Sequence, residues 1–173
     1  MGGAARCVRS PRAVVGVSAV LIAAALFASL GAGIARGAPS AITIDGVVVR
    51  VVDGDTIHVR LVDRIEKVRY IGVNAPELSH PKKGAESAGR EAARVNRQLV
   101  GGRRVRLELD VQERDRHGRL LAYVWIGNVM VNEELVRLGY AQVITVPPNV
   151  RHRATLLARE RDARRSGRGL WGS

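Results

Sequence analysis

Beyond Cys7 the chain has no cysteine. That removes disulfides, zinc–thiolate sites and a cysteine nucleophile from the part that folds, since Cys7 lies in the charged start, upstream of an apolar stretch rather than after one as a lipid-bearing cysteine would. Stability must then come from packing and from any ion that binds. Aromatic residues are nearly as scarce: one Phe, two Trp and three Tyr. Tyr70, Tyr123, Trp125, Tyr140 and Trp171 sit mostly in apolar runs that read as core, and Trp171 reads as an end-anchor. A protein that only grips single-stranded nucleic acid usually offers several stacking platforms, so this scarcity disfavours that class. Acids are few as well, 16 Asp and Glu against 28 Lys and Arg, for a net charge of +12 and a pI near 11.3. Such a balance points to polyanions, either nucleic acid or an anionic membrane surface, and says nothing about fold.

The first 38 residues read as a separate segment. Arg6, Arg9, Arg12 and Arg36 bracket a stretch from Ala13 to Ala35 that carries no charge, and small residues close it. A basic start, an apolar middle and a small-residue end make a secretory signal peptide; an uncleaved N-terminal membrane anchor is the alternative. Both place residues 39–173 outside the cytoplasm, as an extracellular protein or one anchored outside the cytoplasmic membrane. The length of 173 residues favours one folded domain.

Within that domain, apolar runs at Val47–Val52, Thr56–Leu61, Val68–Val73, Val105–Leu109 and Leu121–Ile126 predict five strands, separated by turn residues at Asp53-Gly54, Asp63, Gly101-Gly102 and Gly118. Ala88, Ala92, Val95 and Leu99 recur at helical spacing, with Arg90, Arg94 and Arg97 on the other side, so a helix separates the third and fourth strands. Asn132 is expected to cap a short helix ending at Gly139. Pro147-Pro148-Asn149 is expected to cap a last helix over about Val150 to Arg165, with Val150, Ala154, Leu157 and Ala158 as its apolar stripe. Three strands, a helix, two strands and more helix is the order of an α+β fold: a five-stranded Greek-key barrel of the oligonucleotide-binding (OB) type with about three helices.

The chemistry is concentrated in a few short motifs. Asp53-Gly54-Asp55-Thr56 turns at a strand end, where two carboxylates two residues apart can face one side; alone, it reads as a turn held by Asx hydrogen bonds. The following strand carries Arg69 and ends in Asn74-Ala75-Pro76-Glu77, and Asp115-Arg116-His117-Gly118-Arg119 comes later. Carboxylates bind a hard cation through oxygen, and guanidiniums match phosphate oxygens bidentately, so the set suits phosphodiester cleavage.

With Met130-Val131-Asn132-Glu133 and the His80-Pro81-Lys82-Lys83-Gly84 loop, these motifs resemble the staphylococcal nuclease (thermonuclease) family from about Val47 to Trp171. The resemblance implies a secreted, calcium-dependent endonuclease that hydrolyses DNA and RNA to 3′-phosphate products; single-stranded or fraying regions are the expected substrate, and a monomer is the default state. It implies Asp55 as a direct Ca2+ ligand with Asp53 close behind it and the Ala75 carbonyl beside it, Glu77 as general base or water-positioner, and Arg69 and Arg119 as phosphate holders. Charge grows on the non-bridging oxygens as a phosphodiester is attacked, so a cation and two guanidiniums around them favour the transition state.

Two positions depart from the family pattern. Asn74 stands where an aspartate is usual; its amide oxygen still coordinates, but the lost charge predicts weaker calcium binding. Thr145 and Pro147 replace two tyrosines that contact the nucleotide, so Arg116, His117, Lys82 and Lys83 are the remaining candidates for substrate contact. The alternative reading is a non-catalytic OB-fold protein that binds single-stranded nucleic acid.

Overall fold

A computed structural model describes residues 41–77 and 87–172. The N-terminal segment with its cleavage or anchoring question, and the loop residues His80, Lys82 and Lys83, lie outside the described residues. Among the described residues no helix is long and apolar enough to cross a membrane.

Their element order is β1 (Thr43–Val51), β2 (Thr56–Arg60), β3 (Ile65–Tyr70), β4 (Val73–Asn74), α1 (Ser87–Val100), β5 (Arg104–Glu108), β6 (Leu120–Ile126), β7 (Val129–Met130), α2 (Val131–Arg137), β8 (Gln142–Val143) and α3 (Arg153–Arg165), followed by a 3-10 turn at Gly169–Trp171. Strands pair in the order β3-β2-β1-β5-β6, and a parallel pairing of β3 with β6 closes them into a five-stranded barrel. Alternation along each strand turns Val48, Ile57, Val59, Val68, Tyr70, Val105, Leu107, Ala122 and Val124 into the core, all nearly inaccessible to solvent. This is the expected OB-type α+β architecture, with α1 and α2 packed on the barrel.

Several boundaries and caps differ from the sequence reading. β1 begins at Thr43, because Asp45-Gly46, a turn-like dipeptide, continues the strand and pairs with Arg106 and Val105 of β5. β3 stops at Tyr70, and a turn at Ile71-Gly72 leads into β4, which pairs with β8. Asn132 is not a cap. It lies inside α2 with no solvent exposure, its Oδ1 accepts the Val124 N–H at 2.9 Å, and its Nδ2 donates to the Ile71 carbonyl at 2.8 Å, so the amide joins α2 to β6 and to the end of β3.

Asn149 does not cap α3 either. It exchanges two 2.7 Å hydrogen bonds with the Gln112 backbone, and the helix starts later, at Arg153. The buried residues of α3 are Leu156 and Ala163, whereas Val150 and Ala154 are exposed and Leu157 and Ala158 only half-buried. The rotation is set by polar partners: Glu160, between Leu156 and Ala163 on that face, accepts the Val143 N–H at 3.0 Å, and Arg159 donates to Glu133 of α2 at 2.6 Å.

α2 is followed, just past its C-cap Leu138, by Gly139, whose φ of +80° places its α-carbon against the Arg168 carbonyl with no room for a Cβ. Leu170 N–H donates to the Gly139 carbonyl at 2.8 Å, and the Arg164 guanidinium lies 3.7 Å from the centre of the half-buried Trp171 ring. The C-terminal turn is thus docked on the body, as expected for Trp171.

Candidate active site

The Asp53–Thr56 segment is a tight loop between β1 and β2. Val52 N–H donates to the Thr56 carbonyl at 2.9 Å, and Asp53 Oδ1 accepts the Asp55 N–H at 3.0 Å, the Asx turn expected of this triplet. Gly54 is required because a Cβ there would lie 2.5 Å from the Ala75 Cβ and 2.8 Å from that of Ala92. The loop is therefore pressed between α1 and the Asn74-Ala75 segment, and this contact carries Asp55 to its partners.

Asp55 is 5% exposed. Its Oδ2 accepts the Ala75 N–H at 2.7 Å and lies 3.2 Å from Arg69 Nη2, while its Oδ1 accepts the Thr56 hydroxyl at 3.1 Å. Burial pushes the Asp55 carboxyl up to about 6, and the Arg69 guanidinium and the Ala75 N–H pull it back only in part. Asn74 is exposed, and its Oδ1 accepts from Arg69 Nη2 at 3.1 Å. Asp55, Arg69, Asn74 and Ala75 thus meet, with Asp53 directly behind.

Arg69 and Arg119 come together for a topological reason. Thr56 is the register partner of Arg69 on one side and Leu121 on the other, because β6 runs parallel to β3; Arg119 immediately precedes β6. Both arginines line one pocket of about 190 Å³ with Asp115, Gln112, Val146 and Asn149. A larger hollow of about 530 Å³, bounded by Ala88, Glu91, Tyr140, Gly169 and Leu170, shares none of these residues.

The two guanidiniums are engaged differently. Arg69 Nη1 donates to the Tyr70 and Val73 carbonyls at 2.8 and 2.7 Å, and its Nη2 is held by Asn74 and Asp55, so both ends of its fork are taken up within the protein. Arg119 donates only Nε, to Asp115 Oδ2 at 2.6 Å, which leaves its Nη edge unengaged among the described residues. Asp115 also accepts the backbone N–H groups of His117 and Arg119 at 2.9 and 3.0 Å. Burial pushes the Asp115 carboxyl up, but the Arg119 side chain and these two backbone donors outweigh it and hold the group below its ordinary value.

The remaining sequence candidates are more loosely placed. Glu77 is exposed, two residues beyond Ala75, and no described residue hydrogen-bonds to it. Arg116 and His117 form the exposed tip of the Asp115–Arg119 turn, with Arg116 Nε 3.2 Å from His117 Nε2. Thr145 presents no ring, and its hydroxyl accepts from Arg153 Nε at 3.1 Å.

One residue that the sequence reading passed over positions this site. Asn96 of α1 has no solvent exposure; its Nδ2 donates to the Asp53 carbonyl at 2.9 Å, and its Oδ1 accepts the buried Tyr70 hydroxyl at 2.9 Å. The signal was legible, since Asn96 falls four residues after Ala92 and four before Val100, on the buried stripe where a polar side chain requires a partner. Asp115, a salt-bridge partner for Arg119 already on the sequence reading, also positions the site through its grip on that side chain.

The donor set fits a hard cation. Asp55 is a buried carboxylate whose raised pKa marks an incompletely compensated anion, and the Asn74 amide and Ala75 carbonyl are oxygen donors of the kind calcium takes. Among the described residues no three His, Cys, Asp or Glu side chains gather as a metal cluster. An ion here therefore depends on one buried carboxylate and neutral oxygens.

Residues 67–173 match the family model described as staphylococcal nuclease homologue. The chain is 37% identical over 124 residues to a thermonuclease of Staphylococcus hyicus, covering 72% of this chain and 73% of that one. It is 36% identical over 125 residues to a thermonuclease of Staphylococcus intermedius, covering 72% and 74%. Each of these stretches, ending no later than Ser173, is long enough to include Asp53 and Asp55. Endonuclease YncB of Bacillus subtilis is 35% identical over 124 residues, 70% of this chain and 59% of that protein.

Proposed function

Because the chain belongs to the staphylococcal nuclease family, we propose that it is a calcium-dependent endonuclease that hydrolyses phosphodiester bonds of DNA and RNA and leaves 3′-phosphate ends. The observation that carries this reading is the pocket shared by Arg69 and Arg119 beside the buried Asp55. Calcium would be held by Asp55, Asn74 and the Ala75 carbonyl, with Asp53 behind, and supplies positive charge against the phosphate oxygens. Arg119, braced by Asp115, offers its Nη edge to the phosphate as a fork. Arg69 keeps the Asp55 and Asn74 oxygens in place and presents its remaining Nε–H to the same phosphate. Glu77 accepts a proton from the attacking water, and its exposure leaves room for substrate beside it. Arg116 and His117, with Lys82 and Lys83, follow the strand outward.

Residues 1–38 export the domain, as a cleaved signal or as an anchor, and the enzyme works outside the cytoplasm as a monomer. Sequencing the N-terminus of protein recovered from medium and from membranes separates the two.

The deciding experiment incubates the full-length chain with single-stranded DNA and RNA, with calcium or a chelator, and maps product ends. Calcium-dependent cuts ending in 3′-phosphate are expected. Binding that weakens with salt, without cleavage in any divalent metal, overturns the reading in favour of a non-catalytic binding protein.

A further inference from the structure

Acids and bases are paired unevenly over this molecule. Glu66 holds Arg64 and Arg114, Asp115 holds Arg119, Glu108 holds Arg151 and Glu133 holds Arg159. On the outer wall of the barrel, made by β1, β2, β3 and β5, that pattern stops. Arg50, Arg60, Lys67 and Arg104 are exposed, and among the described residues no carboxylate pairs with any of them.

The sheet register lines these groups up. Arg50 faces His58, and His58 faces Lys67, so three basic side chains cross three strands in one row; Arg104, Val47 and Arg60 form the next row. Arg50 reaches this face through a bulge at Val49, without which the alternation would turn it inward. Like charges opposed across strands destabilise a sheet, so fold stability does not account for the arrangement. Partial burial lowers the His58 pKa, and Arg50 and Lys67 lower it further, the mark of a positive field on this wall.

The row is also continuous with the active site. Lys67 lies two residues before Arg69 on the same outward face of β3, roughly 7 Å along the strand. A cationic strip that begins at a phosphate pocket and runs away from it along a sheet suits a polyanion with regularly spaced charges. A membrane contact would have no reason to be continuous with that pocket.

We propose that Arg50, His58, Lys67, Arg60 and Arg104 form a second polynucleotide track, which holds the phosphates of a long strand where it leaves the Arg69 pocket. The proposal rests on the nuclease reading and extends it to substrate length: the track favours long polynucleotides over short ones.

The test compares wild type, Arg50→Gln/Lys67→Gln, and Arg161→Gln/Arg165→Gln, which removes the same charge from exposed positions of α3. The full-length proteins are titrated with a fluorescent 30-nucleotide single strand at several salt concentrations and assayed on that strand and on a trinucleotide. Each lost phosphate contact lowers the slope of log affinity against log salt by about 0.7, so the wall variant should lose about 1.4 and the α3 variant much less. The wall variant should raise KM severalfold on the long strand and leave trinucleotide cleavage unchanged. Equal slopes and equal KM in the two variants, or tighter wall-dependent binding to phosphatidylserine vesicles than to the strand, overturns the track. If wild type cleaves neither substrate, the nuclease reading fails, and the salt slopes still decide the track by the same criterion.

Discussion

At the level of single residues, Arg119 and Arg69 are engaged differently. Arg119 keeps its Nη edge available while Asp115 fixes its Nε, so Arg119→Lys, which cannot offer a planar fork, should lower kcat on the order of 100-fold with KM little changed. Asp115→Ala, which leaves the guanidinium unbraced, should lower kcat by about tenfold; steady-state assays on one oligonucleotide measure both. Asn74, a ligand in the proposed calcium site, accepts from Arg69, and Asn74→Asp restores a second carboxylate. It should bind calcium more tightly than wild type in a calorimetric titration, and equal or weaker affinity would mean that the Arg69 contact, not ligand charge, sets the site. The grouping of Asp55, Arg69, Asn74 and Ala75 was legible because strand ends flanked by Gly and Pro have few ways to meet. The Asp115–Arg119 pair was legible as a salt bridge, but its role as a brace was not, since an acid four residues before an arginine in a turn reads equally well as a surface pair.

Elements are joined here by buried amides more than by caps. Asn132 satisfies the Val124 N–H and the Ile71 carbonyl, so Asn132→Leu, close in volume, leaves two buried backbone groups unpaired and should cost about 2–4 kcal/mol in urea unfolding. The five barrel strands and α1 were legible from periodicity, because each buries one face over a long enough run. The caps of α2 and α3 were misread for a common reason: Asn132 and Asn149 stand where capping residues stand, but each is drawn to unpaired backbone groups on distant strands or loops that a linear pattern does not reveal. α3 shows the same limit. Its buried positions, Leu156 and Ala163, are fixed by the polar contacts of Arg159 and Glu160 rather than by its own apolar spacing.

For the whole molecule, the pairing of acids decides how it responds to pH. Hydrogen bonds from Arg114 outweigh the effect of burial and, with those from Arg64, hold the Glu66 carboxyl at about 2, below its ordinary 4.5. A carboxylate depressed in the folded state contributes stability that is fully present above 4.5 and is lost as pH falls towards 2. Glu66→Gln should therefore flatten the loss of stability across that window, measured as urea midpoints from pH 6 to pH 2, and an unchanged profile would remove Glu66 from the account. Net charge and composition pointed to a polyanion partner, but not to a row along one barrel wall, which Arg50 joins only because the bulge at Val49 shifts its register. The parallel seam between β3 and β6 has a further consequence. Arg69 and Arg119 belong to opposite sides of the join that closes the barrel, so a chain cut short before Leu120 lacks the pairing that brings the two guanidiniums to one pocket.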